Sequence, residues 1–303
     1  MPKLVRMFPA ALSLLGAIVY GSADFFGGLA ARRLRAIVVA AVSAGSGLLA
    51  LILALPLLGG RWLPADIAWG ALSGIAGVVA IVLLYACLAV GPMSILSPLT
   101  AVVSAIAPML WGLLVQGDRL SVFGWVGLGV ALVAVVLVGF VPGEGTVRPT
   151  SRGLVMAVGA GLAIGVFLIL IDQTSAQSGL VPLVLNRTVN LLMTGLIVVA
   201  LALSAAQRGR GAASALRTPD ASDPPPARAW WLAVICGVLD ASANAILLLA
   251  LRLGELTIVS ALTALYPAGT ILLAALVLKE RVASVQWVGL ALALAAGGML
   301  ALA

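Results

Sequence analysis

Ten apolar runs follow one another along the chain, each close to the roughly 20 residues that a helix needs to cross a bilayer. They lie at 9–30, 36–58, 66–90, 94–115, 122–141, 152–172, 180–205, 229–250, 256–278 and 283–303. This pattern leaves few folds open. In hydrocarbon every backbone N–H and C=O must find a partner inside the segment, so runs of this length become spanning helices. Composition closes off the soluble alternative. Of 303 residues 63% are hydrophobic and only 9% charged, where a soluble domain carries about 25% charge to solvate its surface. The expected fold is therefore an all-α integral membrane protein with ten transmembrane helices, and its outer surface faces lipid. All seven Trp (62, 69, 111, 125, 230, 231 and 287) fall near run ends, where an amphipathic ring sits well at headgroup level.

Charge and reactive side chains exclude several classes of function. The net charge of +7 comes from 17 Lys and Arg against 10 Asp and Glu. The basic residues stand singly or in short groups between apolar runs, which fits loop anchoring and excludes a nucleic-acid partner. There is no His, so the commonest metal ligand and the commonest neutral-pH acid/base are missing. Cys87 and Cys236 each sit inside an apolar run and read as buried small side chains. No metal, cofactor or enzymatic centre is expected. The start of the chain resembles a secretion signal, with Lys3 and Arg6 before an apolar stretch and Gly21-Ser22-Ala23 beyond it. The run continues through Phe25 to Ala31 and closes at Arg32, Arg33 and Arg35, so it is read as a first helix that stays with the protein.

The chain repeats itself. Residues 91–101 read GPMSILSPLTA and residues 254–264 read GELTIVSALTA, with six of eleven positions identical. Asp118-Arg119 returns as Glu280-Arg281, Trp125-Val126-Gly127-Leu128 as Trp287-Val288-Gly289-Leu290, and Trp69 as Trp231, all 162 residues on. Matches of Leu and Ala mean little in an apolar alphabet, but Gly, Ser, Thr, Arg and Trp in register do not arise from it. The halves are read as 1–145 and 151–303, five crossings each, joined at the polar stretch 146–151. A second polar stretch, about 206–228 with Pro224-Pro225-Pro226, is read as a flexible linker. Five is odd, so the second half enters the membrane from the opposite face. Two inverted five-helix repeats around a central cavity are the architecture of many secondary transporters, with the solute site near the midplane between halves.

These features resemble the EamA-type transporters of the drug/metabolite transporter superfamily: two five-helix halves, a Gly-led turn between the third and fourth helix of each, and an acidic-Arg pair after the fourth. Tyr20-Gly21-Ser22-Ala23-Asp24-Phe25 in the first helix is similar to that family's opening segment. Asp118 stands where the family favours Glu. The resemblance spans the whole chain and implies a basket-like bundle with a cavity lined by helices 1, 3, 4, 6, 8 and 9. It also implies termini in the cytoplasm of a cell inner membrane. The Lys and Arg distribution runs the other way, with Lys3, Arg6, Arg61, Arg119, Arg187 and Arg252 on the terminal side and the remaining eleven opposite. Orientation stays open at this point.

An ionisable group at bilayer depth costs about 2.5–3.5 kcal/mol on insertion scales and calls for a reason. Asp240, near the middle of helix 8, has Asn244 one turn further on the same face. It is read either as a substrate or proton site or as a lock between helices. Asp24, one turn after Tyr20 in helix 1, is either a cavity carboxylate or an interfacial partner of Arg32 or Arg35. Asp172 ends helix 6 and reads as a solvated terminus. Helix 7 carries the stripe Asn186, Arg187, Asn190 and Thr194. Arg187 is read either as snorkelling to the interface or as the partner of a carboxylate such as Asp240. Ser97/Thr100 and the equivalent Ser260/Thr263 sit at the starts of helices 4 and 9 and either pack helices or line the cavity. Tyr85, Trp111 and Tyr266 are candidate cavity walls, and Pro108 and Pro267 are candidate hinges or kinks. Asp118-Arg119 and Glu280-Arg281 read mainly as turn-forming pairs with a possible role in gating. The function expected is secondary transport, read as export, of small metabolites, amino acids or amphipathic compounds by alternating access, with proton coupling open. A membrane-embedded enzyme, a channel and a scaffold are the alternatives. The first lacks a nucleophile-base pair, and the second lacks a charge ring or selectivity loop.

Overall fold

Denied water, the apolar runs satisfy their backbones as helices, and the computed structural model is all-helical. It describes residues 3–90, 93–139, 150–209, 211, 214, 216–217, 227–279 and 283–302. The helices are α1 (Lys3–Ala31), α2 (Ala36–Leu58), α3 (Pro64–Val90), α4 (Met93–Trp111), α5 (Val122–Gly139), α6 (Ser151–Asp172), α7 (Val181–Gln207), α8 (Ala227–Leu253), α9 (Leu256–Thr263), α10 (Pro267–Val277) and α11 (Ser284–Ala301). Among the described residues nine helical stretches are long and apolar enough to cross a membrane, Leu256–Val277 counting as one, and Val122–Val138 is a shorter apolar helix. The tenth expected crossing corresponds to α5, whose described part ends at Gly139.

Two expected prolines behave differently. Helix α4 runs through Pro108 to Trp111 and widens into a π-turn over Gly112–Gln116. The ninth expected crossing instead breaks: α9 stops at Thr263, and Pro267 opens α10, since its missing N–H is harmless only in a first turn. In the described part of the expected 206–228 linker, the Arg35 N–H donates to the Leu216 carbonyl (3.1 Å) and Arg35 Nε donates to the Arg217 carbonyl (3.1 Å).

Helix α1 packs along α8 and α10; α6 packs along α3 and α4. Helix α2 lies against α7 and α8, α3 against α7, and α5 against α11. Small residues set these distances, as expected where dispersion and close backbone approach drive helix association in lipid. A Cβ on Gly74 would come within 2.8 Å of the Asn186 carbonyl of α7, and one on Gly47 within 2.8 Å of the Gly237 carbonyl of α8. Large apolar side chains remain on the outside, among them Leu57, Leu114, Val155, Leu196, Leu276 and Leu294. Five of the seven Trp, at 62, 111, 125, 231 and 287, are likewise exposed. An outside this apolar is a lipid-facing one.

Candidate functional site

Inside the bundle lies a cavity of about 260 Å³, walled by residues of α1, α2, α3, α4, α6, α7, α8, α9 and the turn that follows it. Helices 2 and 7 therefore join the six expected to line it. Helix α2 contributes Val39, Ala40, Ser43 and Ala44, and α7 contributes its whole polar stripe. That stripe was legible in the sequence; its direction was not.

The charged groups of the cavity wall are Asp24, Arg187 and Asp240. Arg187 is buried and forms an ion pair with Asp240 through Nη2 and Oδ2. The pair ties α7 to α8, so Arg187 does not snorkel. Asn244, one turn beyond Asp240, donates from Nδ2 to the Asp240 carbonyl (2.8 Å). Asp24 differs. It is exposed at the cavity wall, and among the described residues it accepts no hydrogen bond and joins no ion pair. The expected alternative, a pair with Arg32 or Arg35, does not form among the described residues, and Arg35 Nε donates instead to the Arg217 carbonyl.

Amide and hydroxyl side chains complete the wall. Ser73 donates to the Gly70 carbonyl (2.7 Å) and accepts from Asn186 Nδ2 (2.9 Å). Asn186 Oδ1 in turn accepts from Asn190 Nδ2 (3.0 Å). Each member fixes the orientation of the next, since reversing one amide would set two acceptors face to face. The end of this chain is Asn190 Oδ1, buried and without a hydrogen-bond partner; the Thr263 hydroxyl is in the same state. Both residues line the cavity, as do Tyr20, Tyr266 and Phe167. A buried polar atom left unpaired costs about 1–3 kcal/mol, a cost that a bound solute or water in the cavity would offset.

Other expected residues fall elsewhere. Thr100 is buried but outside the wall, donating to the Leu96 carbonyl (3.0 Å) and reaching the Ala157 carbonyl of α6 (3.2 Å). It packs α4 on α6, while Ser104, one turn on, faces the cavity. Trp111 is exposed on the outer side of the bundle and is not a cavity wall. The side chains of Tyr85 and Ser97, and the Glu280-Arg281 pair, lie outside the described residues. Among the described residues no group of three or more His, Cys, Asp or Glu side chains could hold a metal ion.

A second polar cluster closes one end of the bundle, where the α2–α3, α4–α5, α6–α7 and α8–α9 connections meet. Asp118 Oδ2 accepts from the Thr257 N–H (3.1 Å) and hydroxyl (2.7 Å), at the start of α9. Asp66, buried in the first turn of α3, accepts from the Ser175 N–H (3.0 Å) and hydroxyl (2.6 Å). Arg252 Nη2 donates to the Ser175 (3.2 Å) and Gly179 (2.7 Å) carbonyls, and Gln116 Nε2 donates to Asp172 (2.5 Å). Asp172 is thus a bonded partner rather than a bare solvated terminus. Sequence reasoning missed Asp66, Ser175 and Arg252, because polar residues at run ends look alike whether they face water or one another.

The bundle encloses a small, mainly apolar hollow with a few charged and polar groups in its wall, and residues 151–302 fit the model of the EamA-like transporter family. The chain belongs to that family. It is a multi-pass membrane transporter of the drug/metabolite transporter superfamily. Among 28 matching chains of solved structures, one crystal structure superposes with a TM-score of 0.72 at 14% identity. The match covers 96% of this EamA-family chain and 97% of that one, which shows a shared fold. No curated protein matches the chain.

Proposed function

We propose that this EamA-family protein is a secondary transporter of a cell inner membrane, built from two five-helix halves, 1–145 and 151–303, inserted in opposite orientations. It moves a small solute through the central cavity by alternating access. One observation carries the reading: a hollow of about 260 Å³ at mid-bundle whose wall mixes an ion pair, a free carboxylate and unpaired polar atoms. Inert packing does not leave such groups at that depth.

Helix pairing supports the inverted repeat. Exchanging α1–α5 with α6–α11 in order turns the α1–α8 contact into α6–α3 and α2–α8 into α7–α3. The same exchange turns α4–α6 into the contact of α9 and α10 with α1, and it maps α2–α7 and α5–α11 onto themselves. A bundle of this symmetry has a mirror-related state in which the halves trade roles, and that state opens the other end. In the present state Asp118–Thr257, Asp66–Ser175 and Gln116–Asp172 all join one half to the other at a single end. This cluster is the closed gate. Asp24 supplies the proton-linked version of the mechanism, as the carboxylate of the wall that has no protein partner.

Reconstituted protein tests the reading. In proteoliposomes carrying Asp118→Cys with Thr257→Cys, the new thiols replace a carboxylate and a hydroxyl that are hydrogen-bonded between the halves, and mass spectrometry first verifies that oxidation joins them. Oxidation is expected to stop solute counterflow, and reduction to restore it. Undiminished flux through the cross-linked protein would show that these halves never part.

A further inference from the structure

The cavity wall has a charge imbalance that identifies its cargo. Two carboxylates, Asp24 and Asp240, face one guanidinium, Arg187, leaving one negative charge. Arg187 and Asp240 satisfy each other, so the unbalanced charge is that of Asp24. At bilayer depth an unpaired carboxylate is unfavourable, and a ligand cation removes that cost.

The hydrogen-bonding inventory points the same way. Asn190 Oδ1 is an acceptor by construction, since its amide nitrogen is held by Asn186 and Asn186 is oriented by Ser73. The Thr263 hydroxyl, also unpaired, can accept as well. Both residues are more than nine-tenths buried. The cavity therefore offers a carboxylate, an unused amide acceptor and a hydroxyl free to accept or donate, while its one cation is already engaged. Tyr20, Tyr266 and Phe167 add aromatic faces to the same wall, which attract cations and stack on flat apolar bodies.

We propose that the cargo is a small organic amine carrying N–H groups and protonated at neutral pH. Asp24 is its counter-ion, Asn190 and Thr263 take its N–H groups, and the aromatic wall takes its apolar part. Size limits the choice: about 260 Å³ is below the span of about 300–1,000 Å³ typical of drug-sized ligand sites. The proposal rests on the transport reading for its biological meaning, but the binding site stands or falls separately.

Purified wild-type protein in detergent is titrated with four probes of one shape: phenethylamine, its N,N,N-trimethyl derivative, 2-phenylethanol and phenylacetate. Thermal stabilisation and direct calorimetry read the binding. Phenethylamine is expected to bind at least about tenfold more tightly than the alcohol or the acid, as a charge-assisted hydrogen bond requires. The trimethylated form is expected to bind several-fold more weakly than the amine, because it has no N–H for the acceptors. Asp24→Asn, monodisperse and folded by size exclusion and circular dichroism, is expected to lose the preference for amine over alcohol. Asp24→Glu is expected to keep it. Equal binding of amine and acid, or an amine preference that survives in Asp24→Asn, overturns the proposal. Equal binding of amine and trimethylated probe overturns the role given to Asn190 and Thr263. Amine binding without any counterflow in proteoliposomes would support the site while removing the transport reading. Counterflow of neutral or anionic solutes without amine binding would do the reverse.

Discussion

Arg187 and Asp240 are the residues on which the middle of the bundle turns. A buried ion pair contributes little against a well-packed apolar pair, but breaking it strands a charge at a cost of about 3–5 kcal/mol. Asp240 keeps 24% of its side chain exposed to the cavity, so the low end of that range applies. Asp240→Asn should lower stability by about 3 kcal/mol, seen as an earlier thermal transition in detergent. The double change Arg187→Met with Asp240→Leu should recover most of the loss, and a double variant no better than the single would argue against a stranded charge. The groups around the Asp24 carboxylate are Tyr20 on its own helix, Cys236 and Asp240 on α8, Arg187 on α7 and Tyr266 after α9. If a cation and a proton compete for that carboxylate, amine affinity falls as pH falls, and calorimetry across pH 5–8 should show amine binding release a proton at the acid end. A flat affinity profile would remove Asp24 from proton linkage. Asp24, Tyr20, Arg187, Asn190, Asp240, Asn244, Thr263 and Tyr266 all line the cavity; the sequence singled them out as polar or aromatic residues within apolar runs, and left their structural alternatives open. Thr100 took the packing alternative and Trp111 faces outward, which the sequence could not settle because run position gives depth, not azimuth. In a helix buried on one side and lipid-exposed on the other, a residue's azimuth decides what it touches.

At the scale of elements, α9 is the informative one. It has only eight residues, fewer than an isolated helix needs for stability, and α10 follows after a break at Ala264–Tyr266. Its first turn is held by the Asp118 carboxylate, contributed by the other half. A carboxylate at a helix N-terminus satisfies an orphan N–H and opposes the helix dipole, together about 1 kcal/mol. Asp118→Ala should therefore cost about 1 kcal/mol and also release the gate, raising thiol accessibility of a cysteine placed at Ser260. Loss of stability with no gain in accessibility would reduce Asp118 to a cap. The sequence pointed to the Asp118-Arg119 turn and to Pro267, but the contact between Asp118 and Thr257 joins residues 139 positions apart. Periodicity carries no information at that range. Helix existence was legible almost throughout, since hydropathy fixes it. The break in the ninth crossing was legible only as a proline.

For the whole molecule the decisive property of the proposed mechanism is the direction of insertion: with five crossings per half, an odd number, the halves would face opposite ways. The repeat in the sequence led to that expectation, and the packing of α1 on α8 has its counterpart in that of α6 on α3, as two equivalent halves require. Transport by exchange of roles between halves depends on it entirely. In a background of Cys87→Ala and Cys236→Ala, single cysteines at Trp62, in the α2–α3 connection, and at Gly211, in the α7–α8 connection, probe equivalent places in the two halves. Sealed vesicles are then treated with a membrane-impermeant thiol reagent. The account predicts that one position labels from outside and the other only after the membrane is opened. Labelling of both from the same face would contradict it.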